Sequence, residues 1–256
     1  IVAIDASHNT SLKYLSCYYN DSLTTLNVSG CTSLENLRCF ANNLTTLDVS
    51  GCTSLYGLHC SDNNLTSLNV SGCTSLYGLE CSNNNLDTLD ASHNTSLEYL
   101  FCSDNNLTSL NVSGCTSLGE LDCYGNKFST AGYDSLMCLL PDYSEFNVFG
   151  YFFPLYDSTD SNATTFLAAN ASNATAKNWQ VLYYDNGNTI TTNGSYTCTF
   201  GGEKPEVDTT QYITLIGSIS QEKVIVQCSV KGVIKIISGQ WDTVLLKADN
   251  LPQKRL

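Results

Sequence analysis

The chain is poor in positive charge. It carries 11 Lys+Arg against 24 Asp+Glu, a net charge of −13, and only 14% of its 256 residues are charged. An ordinary globular chain has about a quarter. Phosphate binding needs a basic footprint, so the composition speaks against nucleic acid as a partner. It speaks equally against docking on anionic lipid. No apolar run reaches the roughly 18 residues of a membrane span, so no direct membrane insertion is expected of this stretch. Catalytic signatures are missing as well: there is no G-x-S-x-G, no phosphate loop and no zinc motif. Hydrophobic residues are plentiful at 42%, enough for a core, and there are 13 cysteines. That number is odd, so at least one thiol is unpaired within the chain.

The first half is a repeat. Leu44-Thr-Thr-Leu47-Asp-Val49-Ser-Gly-Cys52-Thr-Ser-Leu55-Tyr-Gly-Leu58-His-Cys60-Ser-Asp-Asn63-Asn64 is one unit of 21 residues, and it recurs from Leu23, Leu65, Leu86 and Leu107. A sixth copy starts at Ile1, with one extra residue near Asp21-Ser22. Cys17, Cys39, Cys60, Cys81, Cys102 and Cys123 fill one slot. Cys31, Cys52, Cys73 and Cys115 fill another, where Asn9 and Asn94 replace Cys. Leu, Leu and Cys at i, i+3 and i+5 turn apolar groups into a flat coil, and only stacked coils bury that face. Adjacent coils then pair as parallel strands about 4.8 Å apart. Asn20, Asn42, Asn63, Asn84, Asn105 and Asn126 form a ladder of amides able to satisfy backbone groups of two coils.

The unit Leu55-Tyr-Gly-Leu58-His-Cys60-Ser-Asp-Asn63-Asn-Leu65 resembles the leucine-rich repeat, with Cys in place of the third Leu. The resemblance is to short-repeat leucine-rich proteins of bacterial surfaces, including those of gut bacteria, and covers residues 1–127. It implies an extracellular or cell-surface location and adhesion or host interaction, by analogy of fold. The expected fold class is α/β, mostly β: a solenoid of short parallel strands, α/β capping repeats and a small C-terminal β module.

Same-slot cysteines in such a stack have parallel Cβ vectors, which hold their Cβ atoms farther apart than the usual ~3.8 Å of a disulfide. Buried, unreactive thiols are therefore expected in the coils. His8 and His93 occupy the slot that Gly30, Gly51, Gly72 and Gly114 hold elsewhere, which suggests a turn at positive φ. They lie coils apart and cannot share an ion, and Ser61-Asp-Asn-Asn and Ser103-Asp-Asn-Asn lack the features of calcium loops. No metal and no cofactor are implied.

The period ends near Phe128. Residues 129–141 read as a helix with Ser129 as N-cap and Pro141 as stop. Phe146–Phe153 reads as a strand, 161–179 as a weakly helical stretch with Phe166, Leu167, Ala171 and Ala174 on one face, and 180–184 as a strand. Leu140-Pro141 and Lys177-Asn-Trp179 resemble the segment that closes such arrays by covering the last coil. Beyond Ser195, residues 212–216, 224–230, 233–237 and 243–247 read as β-branched strands. Cys198 and Cys228 are the disulfide candidates there. The expected domains are 1–127, 128–194 and 195–256. The chain opens inside a repeat without a leader, so its natural start is expected upstream. Leu251-Pro-Gln-Lys-Arg-Leu256 is no sortase motif.

Each coil has two outer faces. One is monotonous, as in Thr45-Thr46-Asp48 and Thr66-Ser67-Asn69, and reads as structural. The other varies: Lys13, Tyr14, Tyr18, Tyr19, Glu35, Arg38, Phe40, Tyr56, His59, Tyr77, Glu80, Glu98, Tyr99, Phe101, Glu120, Asp122 and Tyr124. A free surface gains nothing from rows of large rings, and Tyr is a favoured residue of binding surfaces. The candidate ligand-binding set is Tyr14, Arg38, Phe40, Tyr56, His59, Tyr77, Glu80, Tyr99, Phe101, Asp122 and Tyr124, facing a protein or glycan of a host or neighbouring cell. Two alternatives stand beside recognition. The rings stack on one another and stiffen a passive surface spacer. Or carboxylate pairs such as Glu80/Glu98 or Glu120/Asp122 act on a glycan, although an open strand face lacks the pocket of an enzyme. The expectation is of no enzyme.

Overall fold

The computed structural model describes residues 1–198 and, of the remainder, the backbone of two strands. The elements in chain order are β1 (Ala3–Asp5), β2 (Tyr14–Ser16), β3 (Thr25–Asn27), β4 (Asn36–Arg38), β5 (Gly57–His59), β6 (Gly78–Glu80), β7 (Thr88–Asp90), β8 (Tyr99–Phe101), β9 (Ser109–Asn111), β10 (Glu120–Asp122), α1 (Thr130–Leu139), β11 (Gly150–Leu155), α2 (Ala163–Leu167), α3 (Ser172–Thr175), β12 (Trp179–Tyr183), β13 (Val224–Cys228) and β14 (Val244–Ala248). Two compact units result, Ile1–Cys198 and Thr199–Leu256. In the second, β13 and β14 pair in parallel. They fall on two of the four expected strands; 212–216 and 233–237 lie outside the described residues.

The first unit is a parallel solenoid. Its main sheet has eight strands in the order β12-β11-β10-β8-β6-β5-β4-β2. Asn36, Gly57, Gly78, Tyr99 and Glu120 are partners in successive strands, one coil apart. The central residue of each of these strands, Leu37, Leu58, Leu79, Leu100 or Leu121, points inward and is at most 2% exposed. Burial of each such leucine contributes roughly 1.5–3 kcal/mol. The monotonous face forms a broken ladder instead: β1 with β3, a single bridge from Asp48 to Asn69, and β7 with β9.

The asparagine column bridges the coils. Asn63 donates from Nδ2 to its own coil's Cys60 O (3.1 Å) and to the preceding coil's Cys39 O (2.9 Å), while its Oδ1 accepts from Leu44 N (2.9 Å). Asn84 and Asn105 repeat the pattern. Every solenoid cysteine is a buried free thiol. Desolvation pushes the Cys39, Cys60, Cys81, Cys102 and Cys123 thiols well up, so the nucleophilic thiolate is suppressed.

The slot shared by His8 and the glycines adopts positive φ only at His8 (66°) and Gly30 (78°). The left-handed column lies elsewhere, at Tyr19, Ala41, Asp62, Asn83, Asp104 and Gly125, each immediately before a ladder asparagine.

Helix α1 begins at the expected cap: Gly132 N donates to Ser129 Oγ at 3.0 Å. The strand expected from Phe146 begins only at Gly150, and Phe146, Val148 and Phe149 are exposed. The residues before it turn instead: Phe146 N donates to Tyr143 O at 2.9 Å, and Asn178 Nδ2 donates to the Tyr143 and Phe146 carbonyls, while a Cβ on Gly150 would lie 2.4 Å from the Trp179 ring. The stretch 161–179 splits into α2 and α3. Asn170 breaks it by accepting from Ser172 N through Oδ1, while its own N–H goes to Asp134 Oδ1 (2.8 Å). Lys177 Nζ caps the end of α1, donating to Met137, Cys138 and Leu140 carbonyls, and Trp179 Nε1 donates to Pro141 O at 2.8 Å. The Leu-Pro and Lys-x-Trp pairs thus hold each other.

The disulfide expectation is corrected. Cys198 is bonded to Cys138, with Cα atoms 5.6 Å apart, and so is not bonded to Cys228. The cause is local: Asn170 and Asn173 both donate to Tyr196 O, which lays this stretch across the cap beside α1.

Candidate functional site

The variable face is the outer surface of the eight-stranded sheet. Alternation along each strand turns the leucine in and its two neighbours out. Parallel register then aligns Ser16, Arg38, His59, Glu80, Phe101, Asp122 and Phe153 in one row, and Tyr14, Asn36, Gly57, Gly78, Tyr99, Glu120 and Tyr151 in the other.

Rings in and beside these rows pack on one another from coil to coil. Phe40 lies between Tyr18 (4.6 Å, 10°) and His59 (4.1 Å, 17°). Tyr56 and Tyr77 stack at 4.7 Å and 7°, and Tyr77 meets Tyr99 edge-on at 5.3 Å. Tyr99 in turn lies 6.5 Å from Phe101. They remain open to solvent nonetheless: Tyr14 is 64% exposed and Tyr56 49%. Tyr14 OH donates to Glu35 at 2.9 Å, and Lys13 Nζ reaches the other oxygen of the same carboxylate at 2.7 Å. Both partners hold the Glu35 carboxyl below its usual range.

Arg38, His59 and Glu80 are adjacent in the outer row. His59 Nε2 lies 3.3 Å from Glu80 Oε2. Burial lowers the His59 pKa, against the pull of Glu80, and Arg38 lowers it further. Burial thus disfavours the charged form of His59, which stacks on Phe40 and faces Glu80.

Between these rows lies a recess of about 150 Å³, lined by Asn36, Arg38, Tyr56, His59, Tyr77 and Glu80 around Gly57 and Gly78. Two consecutive coils lack a side chain at its floor. Neither glycine has positive φ, and a Cβ on Gly78 would meet nothing within 4 Å. The backbone does not require glycine at 78, and glycine weakens a strand. Sequence reasoning passed over both glycines, although Tyr-Gly-Leu occurs in two successive copies. The recess has an aromatic wall, a charged wall and room for one ring-sized group.

The cap completes the row with rings outside the repeat. Tyr124 packs against Tyr156 (5.5 Å) and Tyr184 (4.9 Å). Asp122 lies in the outer row, as expected, but is covered there, only 5% exposed. Its neighbours on both strands are phenylalanines, Phe101 and Phe153. No repeat pattern shows this, because Phe153 comes from the cap.

No family model matches the chain, and no curated protein matches it. Solved structures with similar geometry include the functional domain of InlJ from Listeria monocytogenes, described as including a cysteine ladder, at 25% identity over 71% of this chain and 50% of that one, TM-score 0.46. YopM from Yersinia enterocolitica is 28% identical over 50% of this chain and 30% of that one, TM-score 0.35. A leucine-rich repeat protein of Leptospira interrogans is 21% identical over 47% and 42%, TM-score 0.33. The match spans half of each of these chains or less. With its repeated L-x-x-L-x-C strands one coil apart in a parallel ladder, its inward leucines and its asparagine column, the chain is a leucine-rich repeat solenoid.

Proposed function

We propose that this chain is a recognition module that binds a polypeptide across the outer face of the eight-stranded sheet, outside the cytoplasm and in an adhesive role. One observation carries the reading: the recess over Gly57 and Gly78, where at Gly78 the strand gives up a side chain that nothing within 4 Å would obstruct. A ligand side chain enters there, its flat part against the Tyr56–Tyr77 stack and its polar part toward Arg38 and Glu80. Tyrosines already stacked lose little freedom on binding, which favours affinity. The Cys138–Cys198 disulfide supports an oxidising compartment. No catalytic step is proposed.

The test is selection of displayed random peptides on the whole chain, with a glycan array beside it. Selected peptides are expected to lose at least tenfold in affinity on Gly78→Val and on Tyr56→Ser, while Gly78→Val melts no lower than the parent. Peptides that bind parent and Gly78→Val equally overturn the reading. Ligands found only on the glycan array, with the same sensitivity, move it to a glycan. The spacer alternative has the ring stacking in its favour. It expects no saturable ligand on either platform.

A further inference from the structure

The cap end of the same face carries a second arrangement, independent of the recess. On β10 Leu121 faces the core, while Glu120 and Asp122 face outward. Phe101 and Phe153 flank Asp122 in register. Tyr184, from the turn after β12, sets its ring edge-on to Phe153 at 5.8 Å and against Tyr124 at 4.9 Å. Asp122 is 5% exposed, and its Oδ1 has no hydrogen-bond partner. A buried carboxylate oxygen without a donor is a standing cost to the fold.

The charges around it have one sign. Burial and, secondarily, the Glu120 charge push the Asp122 carboxyl up to about 7. Burial raises Glu120 too, and burial with Asp160 raises Asp104. The Tyr124 and Tyr184 hydroxyls are raised mainly by burial, with Asp122 adding to both. Among the described residues the salt bridges join Lys13 to Glu35 and His59 to Glu80, so none reaches this group.

We propose that Asp122 and Glu120, with the rings of Phe101, Phe153 and Tyr184, form a binding site for an organic ammonium group. An ammonium donates a charge-assisted hydrogen bond to Oδ1 and lies against ring faces that attract cations. A calcium ion wants six or more oxygens, which these rings do not offer. A guanidinium binds best through two carboxylate oxygens at once; one unpartnered oxygen suits the compact ammonium. Tyr184 is 46% exposed at the edge of its turn, so one ring of the group meets solvent.

The experiment titrates the full chain with Nα-acetyl-lysine methylamide and with its neutral norleucine counterpart, by NMR at pH 6 and pH 8. The lysine compound is expected to bind at least tenfold tighter. Its affinity is expected to rise about tenfold between the two pH values, as Asp122 loses its proton. Asp122→Asn is expected to remove both effects, with the fold verified by circular dichroism. Should that variant fail to fold, Tyr184→Ala serves: it is expected to weaken the lysine compound several-fold and keep the pH dependence. Tetramethylammonium and glucosamine distinguish the source of the ammonium, a protein lysine being indicated when both bind more weakly than the lysine compound. Equal binding of the lysine and norleucine compounds overturns the proposal, as does affinity unchanged in both variants.

Discussion

Asn94 Nδ2 donates to the Val70 carbonyl of the preceding coil at 3.0 Å, in the position from which Cys73 Sγ, one coil earlier, reaches Val49 O at 3.3 Å. Cys52 to Val28 and Cys115 to Ala91 repeat the contact. The second cysteine column is thus a donor column, and that is why cysteine and asparagine exchange within it. Asn94 has a second donation, to Cys73 O at 2.8 Å, but its Oδ1 is buried without a partner. Replacing it by cysteine gives up that second bond and relieves the orphan acceptor, two effects of about 1 kcal/mol each and of opposite sign. Asn94→Cys is therefore expected to unfold within about 1 kcal/mol of the parent. Asn94→Ala removes every donor and leaves a hole, and is expected to cost at least about 2 kcal/mol. Urea denaturation of the two variants separates a donor role from simple filling of space.

The cap depends on a bond far from the repeats. Cys138 and Cys198 are 60 residues apart in sequence. In the chain-entropy account, closing a loop of that length stabilises by about 4 kcal/mol. Cys198→Ser is expected to lower the melting temperature of the first unit by several degrees. Reductant is expected to lower the parent to the same value and to leave the variant unmoved, as read by thermal melts with and without dithiothreitol.

Asp122 gives stability a pH signature. Its carboxyl is raised from 3.8 to about 7 in the folded chain. Between those values the folded state holds a proton that the unfolded state has released. Stability from this group is therefore fully present below about pH 4 and falls as pH rises toward 7, by roughly 2–4 kcal/mol in all. Asp122→Asn is expected to flatten that slope and to be the more stable protein at pH 8. Melting curves from pH 4 to pH 8 check it.

The coils were legible because the same apolar spacing is repeated six times, so an error in one copy is corrected by the others. The same property put Tyr14, Tyr56 and Tyr99 on the outer face. What repeats do not encode was harder to read. The left-handed residues Tyr19, Ala41, Asp62, Asn83, Asp104 and Gly125 share a conformation but no residue type. Coil-to-coil bonding at the neighbouring asparagine imposes it, at a cost of about 1 kcal/mol for a residue such as Ala41. Phe153, one of the two rings that flank Asp122 in register, lies outside the period. The recess arises from side chains that are absent, and a search for chemical groups passes over glycine. Cys198 found Cys138 through two asparagine side chains holding one carbonyl, a contact that no spacing of cysteines reveals.

The orientation of the coils is tested most directly by mapping thiol alkylation residue by residue with mass spectrometry. The chain is treated with iodoacetamide under native conditions and again in guanidinium. Cys39, Cys60, Cys73, Cys81, Cys102 and Cys123 are expected to stay unlabelled in the native protein and to react fully once it is unfolded. Labelling of these cysteines in the native protein at the rate of a free thiol in water would contradict the inward ladder, and with it the outward face on which recognition depends.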